Sequence, residues 1–259
     1  MKLSTKLLGG LGVLTVAALF SANIAMKQDY DNTDKDSFYW GYGKILEQPF
    51  THISTEGGNI TQIAFEQNEK PSVRVLKQWP GYRNGSVKAF VRADTLFLKF
   101  PNGDTAGDNA KVKDWIKHTT LVRIFAPQLS SIDGFDTDFD LLKLHQKYVS
   151  VNLSGRSAME IETSCMEMDS LRVVGSNASN ILLETSPDVV AGSIIRIRSA
   201  DIHLQGTSKL DLGPTQVSSL RINVADSALI NLSGFSVNKI NHQRAGSPAL
   251  TSPKKKLID

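Results

Sequence analysis

Val149-Ser150-Val151-Asn152-Leu153-Ser154-Gly155, Leu171-Arg172-Val173-Val174-Gly175-Ser176-Asn177, Ile195-Arg196-Ile197-Arg198-Ser199-Ala200-Asp201 and Leu220-Arg221-Ile222-Asn223-Val224-Ala225-Asp226 are four versions of one sentence. Each alternates apolar with polar residues for one short stretch and stops at small polar residues. Alternation with period two puts one set of side chains on one face of a strand. Arg172, Arg196, Arg198, Arg221 and Asn223 occupy the other face and want water, so each strand is half-buried. The starts at Val149, Leu171, Ile195 and Leu220 lie 22, 24 and 25 residues apart. Strands this short make no core alone, and a recurrence in this range marks units that bury their apolar faces by stacking. Met159 and Ile161, Ile181 and Leu183, Ile202 and Leu204, and Ile230 and Leu232 supply further strands between the starts. The expected fold is all-β: a parallel β-helix-like solenoid of short strands, with like residues stacked about 4.8 Å apart from coil to coil. The competing architecture is an antiparallel sandwich or barrel, which joins strands by Asn-Gly or Asp-Gly hairpins. Such pairs are scarce between these strands.

The rest of the chain divides around that repeat. Residues 1–26 carry Lys2 and Lys6 before an uncharged run from Leu7 to Met26, enough to span a bilayer. Phe20 before Ala22 and Asn23 before Ala25 are poor cleavage grammar, so an uncleaved signal anchor fits better than a cleaved signal peptide. Lysines before the run and Asp29, Asp31, Asp34 and Asp36 after it put the N-terminus in the cytoplasm and export the remainder. The expected location is the bacterial cell envelope, either anchored in the inner membrane facing the periplasm or exported. Residues 27–48 read as an acidic linker with Phe38, Tyr39, Trp40 and Tyr42, rings suited to capping the first coil, a membrane interface or a sugar.

Residues 49–240 form the β domain. Its opening strands surround tight turns at Gly57-Gly58-Asn59 and Ala93-Asp94-Thr95, so part of it is expected to be antiparallel. Asn102–Asp114 reads as a polar loop, and Trp115-Ile116 and Leu121–Phe125 return to strand character. Residues 241–259, with Pro248, Pro253 and Lys254-Lys255-Lys256, read as a disordered basic tail.

Phe50-Thr51-His52-Ile53-Ser54-Thr55-Glu56-Gly57-Gly58-Asn59-Ile60, followed by Val73-Arg74-Val75, resembles the opening of a known family. So do the Leu-x-Ile strands ending in serine, Asn231-Leu232-Ser233-Gly234-Phe235, and the apolar N-terminal segment. Together, from about Phe50 to Ile240, they resemble the bacterial "putative auto-transporter adhesin head GIN domain" family of Bacteroidetes envelopes. The resemblance implies a parallel β-helix-like fold and an adhesin role that is itself an inference. It implies no catalytic residues. This sequence differs in having fewer glycines at its corners.

Chemistry-bearing patterns are few. A net charge of +3 without a basic stripe interleaved with aromatics excludes a nucleic-acid surface. One cysteine, Cys165, excludes an intrachain disulfide; it reads as a small buried residue. No P-loop, GxSxG, GxGxxG or paired metal-binding histidine occurs. The densest acidic run is Asp133-Gly134-Phe135-Asp136-Thr137-Asp138-Phe139-Asp140. On one strand, Asp136, Asp138 and Asp140 would face one side and offer Ca²⁺ hard oxygens. Neither EF-hand nor Gly-Gly-x-Gly-x-Asp grammar accompanies them, so a solvated strand face is the plainer reading. Arg172, Arg196, Arg198 and Arg221 could stack into a basic strip able to hold an acidic glycan or protein, with exposed strand decoration the plainer reading. The function expected is therefore non-enzymatic: an envelope scaffold binding glycan or envelope protein, with the membrane engaged through residues 7–26. The alternative is a Ca²⁺-assisted polysaccharide-active enzyme using Asp136 and Asp138 with Lys143 and Arg156. Oligomeric state is not readable from the pattern.

Overall fold

The computed structural model describes residues 3–31, 39–58, 61–79, 85, 87–100, 119–185, 189–190, 193–231, 236–244 and 250–251. Residues 102–116, Phe38 and most of the tail lie outside them. Two compact units divide the chain, residues 1–42 and 43–259.

The first unit is the helix α1, Leu3–Asp31, followed by a turn. Within it Leu7–Gln28 is long and apolar enough to cross a membrane by length and composition, a test that a signal sequence also passes. Tyr39 packs edge-to-face on Tyr42, with ring centroids 6.2 Å apart, and Trp40 is exposed.

The second unit is built of strands. In chain order they are β1 (Tyr42–Leu46), β2 (His52–Glu56), β3 (Gln62–Gln67), β4 (Ser72–Leu76), β5 (Lys88–Arg92), β6 (Thr95–Lys99), β7 (Thr120–Ala126), β8 (Ser131–Phe135) and β9 (Asp138–Leu144). There follow β10 (Tyr148–Ser154), β11 (Ala158–Thr163), β12 (Glu167–Gly175), β13 (Asn180–Thr185), β14 (Ile195–Leu204) and β15 (Lys209–Asp211). The last are β16 (Thr215–Val224), β17 (Leu229–Asn231), β18 (Ser236–Arg244) and β19 (Leu250–Thr251). Two sheets result. One has the order β1-β4-β7-β3-β9-β11-β13-β15-β17-β19, the other β18-β16-β14-β12-β10-β8-β2-β6-β5. We call them the first and second sheets.

From β8 onward the chain visits the two sheets in turn, and each strand pairs in parallel with the strand two places later. Inward residues of both sheets join one apolar core: Val151, Val173, Ile202 and Ile222 come from the second sheet, Ile161, Ile181, Leu183 and Leu210 from the first. Each fully buried aliphatic side chain contributes about 1.5–3 kcal/mol, so the stack is held by its aliphatic column.

The corner after each second-sheet strand has its own logic. Asp136, Gly155, Asn177, Gly206 and Asp226 all have left-handed backbone, φ between 50° and 72°. Asp, Asn and Gly are the residues that adopt this conformation at least cost. At Gly206 a Cβ would stand 2.6 Å from the Asn177 carbonyl oxygen, so the next turn leaves no room for a side chain. Just beyond, Thr137, Ser157, Ser179, Ser208 and Ala228 point inward and are buried. Ser157 donates to the Ser154 carbonyl, Ser208 to the Gln205 carbonyl, and Ser179 to Ser208 at 3.1 Å. The three serine hydroxyls are thus satisfied at the bend where the strand ladder breaks, while Thr137 Oγ1 has no partner among the described residues.

Four expectations change. First, Leu171 pairs with Ala200, not with Ile195, and Ala200 pairs with Leu220. The repeat lengthens to 29 residues there and falls back to 20, because the chain between Thr185 and Ile195 is an insertion. Second, β12, β14 and β16 each carry two successive outward residues, Asp169-Ser170, Arg198-Ser199 and Ser218-Ser219. This break resets the inward phase within one strand, which simple alternation does not anticipate. Third, Gly57-Gly58 does not close a hairpin: β2 and β3 enter different sheets. The antiparallel pairs are instead β5 with β6, through left-handed Ala93 and Asp94, and β4 with β7. Fourth, strand pairing continues past residue 240, through β18 and β19.

Candidate functional site

The outward face of the first sheet gathers carboxylates. Asp138 and Asp140 alternate with buried Phe139 and Leu141 on β9, and Glu160 and Glu162 alternate with buried Ile161 on β11. Parallel register sets Asp140 beside Glu160 and Glu162 beside Glu184. Ligand oxygens of Glu160, Glu162 and Glu184 lie within 4.8 Å of one another, and no other such group occurs among the described residues. Like charges placed side by side on a sheet repel. Protons relieve this. The Glu184 carboxyl is pushed up to about 7, first by its hydrogen bond with Glu160, then by burial and the Glu160 charge. Asp140, only 7% exposed, is pushed up to about 6 by burial and by the charges of Asp138 and Glu162, against a hydrogen bond with Gln62. Burial also raises Asp138. Two places along the same sheet the balance differs: Glu66 is bound by Arg123, and Arg74 lies 5.1 Å over the Phe125 ring.

Of the three aspartates expected to share a face, Asp138 and Asp140 do. Asp136 does not, because it precedes β9 in the left-handed corner, where alternation does not apply. Its Oδ1 accepts the Arg156 backbone N–H at 2.7 Å, tying one corner to the next. Glu160, Glu162 and Glu184 were missed by reading runs of acid along the chain. The available signal was the spacing of 22 residues between Val149 and Leu171, which also separates Glu162 from Glu184. Oxygen-only donors suit a hard cation such as Ca²⁺, or a shared proton.

The four arginines all lie outward on the second sheet, but they do not form one strip. Arg196 and Arg198 precede the phase break, Arg172 and Arg221 follow such breaks. Arg196 stands beside Glu167, Arg198 pairs with Asp169 at 3.0 Å, and Asp201 separates Arg172 from Arg221. His203 bonds the same Asp201 at 3.1 Å. The face is a ladder of alternating charge. Cys165 sits partly exposed in the turn before β12, its thiol 3.0 Å from the Glu167 carbonyl oxygen.

No family model matches the chain, and no curated protein matches it. Solved structures do. A protein described as "a putative adhesin" from Parabacteroides merdae is similar over 81% of this chain and 79% of its own, with a TM-score of 0.59 at 13% identity. A "putative lipid binding protein" from Parabacteroides distasonis is similar over 81% of this chain and 80% of its own, with a TM-score of 0.58 at 12% identity. At these identities the likeness is one of fold.

Proposed function

We propose that this chain is a β-solenoid of the bacterial envelope, similar to the GIN-domain adhesins, that binds an envelope glycan or protein and catalyses nothing. The observation that carries the reading is the pairing of alternate strands in register from β8 to β19, which presents two outward faces of regularly spaced polar side chains. Such faces suit docking of an extended partner. The fold likeness to proteins described as an adhesin and a lipid-binding protein supports a binding role. The apolar stretch Leu7–Gln28 supports export, with residues 7–26 anchoring the chain in the inner membrane and the β domain on the periplasmic side. The test is retention of the full chain, in detergent, on envelope fractions stripped of protein and on intact envelope fractions. Retention on either sustains the reading; retention on neither overturns it.

A second reading is favoured by the gathering of Glu160, Glu162 and Glu184: a Ca²⁺ site on the first sheet, with Asp138 and Asp140 beside it. Calcium-assisted chemistry on a polysaccharide, with Asp138 contributing from the same face, is its enzymatic form. Millimolar Ca²⁺ would then raise the melting temperature of the wild type and leave Glu160→Gln/Glu184→Gln unmoved.

A further inference from the structure

Where the second sheet ends, its outward face changes character. β5 and β6 pair antiparallel with Phe90 opposite Phe97, Lys88 opposite Lys99 and Arg92 opposite Thr95. Leu96 and Leu98 point into the core, so Phe97 and Lys99 face out, and Lys88, Phe90 and Arg92 share their face. The two rings are stacked, with centroids 5.2 Å apart and planes 15° off parallel, and Phe90 is 44% exposed. Lys99 reaches Glu56 at 3.2 Å. Lys88 and Arg92 have no carboxylate partner among the described residues.

Charge on a terminal strand discourages pairing with another chain. An exposed ring on that strand does the reverse, so edge protection does not account for Phe90. Glu56 offsets Lys99 alone, so Lys88 opposite it and Arg92 on the same strand are left for an anion from outside. The rings lie on a flat strand face rather than on a projecting loop, which suits stacking of a sugar ring better than insertion into lipid. From the rings a row of polar groups continues across the sheet: Ser54 beside Phe97, then Asp133, then Asn152, whose Nδ2 donates to Asp133 Oδ1 at 2.9 Å. The neighbouring row runs Arg92, Thr95, His52, Ser131 and Ser150, with His52 Nδ1 2.8 Å from Ser131 Oγ. Strand spacing gives these rows a polar group about every 4.8 Å.

We propose that this end of the second sheet binds a linear acidic polysaccharide, one sugar ring stacked on the Phe90–Phe97 pair and its anionic groups held by Lys88 and Arg92, with the chain running on along the polar rows. The proposal deepens the binding reading above and rests on it.

The full chain in neutral-lipid nanodiscs is passed over immobilised polygalacturonate, alginate, hyaluronate and heparin. At least one retains the wild type, and added salt weakens retention. Phe90→Ser weakens it about fivefold, as for loss of an interface aromatic. Lys88→Gln/Arg92→Gln weakens it about fivefold and removes most of the salt dependence. Phe90→Tyr keeps it, and unchanged melting temperatures show that the variants fold. Retention indifferent to these substitutions overturns the assignment to this patch while the binding reading stands. Failure on all four polymers overturns the acidic polysaccharide, and failure on envelope fractions as well overturns the binding reading with it. Capture by phosphatidylglycerol vesicles with the same dependence on the substitutions, and no polymer retention, assigns the patch to lipid and overturns the proposal.

Discussion

The two sheets share one backbone plan and treat charge oppositely. On the second sheet acid and base alternate from strand to strand: Glu167 with Arg196, Asp169 with Arg198, and Arg172, Asp201 and Arg221 in a row. On the first, acids stand beside acids: Asp140 with Glu160, and Glu162 with Glu184. In-register parallel pairing multiplies whatever the sequence places at one position. A cancelling pattern leaves a quiet surface. A repeating one stores repulsion that only protons or cations relieve. The difference gathers closely spaced carboxylates on the first sheet and not on the second.

Both faces hang on the same left-handed corners, and the largest expected effect lies there. Gly206→Val puts a branched side chain into a left-handed turn against the Asn177 carbonyl. It should cost about 3 kcal/mol or more, read as a fall in the denaturant midpoint. Loss below about 1 kcal/mol would mean that the corners are soft.

The acidic face alone answers to pH. Glu184 and Asp140 hold protons in the folded state, near pH 7 and pH 6, that the unfolded chain releases at lower pH. Folding therefore binds protons between about pH 4 and 7, and stability is greatest on the acid side and falls as pH rises through 6 and 7. Buried Asp140 contributes about 2–3 kcal/mol and solvent-screened Glu184 less than about 1 kcal/mol. Glu184→Gln/Asp140→Asn should flatten the melting temperature over this range and raise it at pH 8. A wild-type melting temperature that climbs from pH 5 to 8 would contradict the proton sharing.

The smallest effect belongs to the balanced face. Asp201→Asn removes the charge of a half-buried carboxylate between the exposed Arg172 and Arg221. It should cost less than about 1 kcal/mol and recover in high salt. A loss as large as at the corners would mean that the charge ladder holds the sheet together.

Much of this was legible in the chain. Val151, Val173, Ile197 and Ile222 announce inward positions by alternation alone, and Gly155, Asn177 and Asp226 announce corners by their tolerance of left-handed backbone. Register was not legible. Ile195-Arg196-Ile197 looks like Leu171-Arg172-Val173, yet it lies before the phase break and the other lies after it, and an insertion shifts the count. The aspartate run misled for a related reason. Proximity along the chain placed Asp136 with Asp138, whereas the fold places Asp140 with Glu160, 20 residues on. A site assembled across strands needs the pairing before its members can be named.

β2 and β3, the earliest strands after β1, lie between β6–β7 on one side and β8–β9 on the other. The first-synthesised pair is thus an interior rung whose two sides are completed by later sequence. Growth from this seed runs two ways and stops differently: one direction ends on β1 beyond antiparallel β4 in the first sheet and on antiparallel β5 in the second, while the other adds parallel rungs without altering anything already laid down. Lineages of this protein should therefore vary in length on the C-terminal side, by gain or loss of whole rungs, and hold the antiparallel N-terminal end constant.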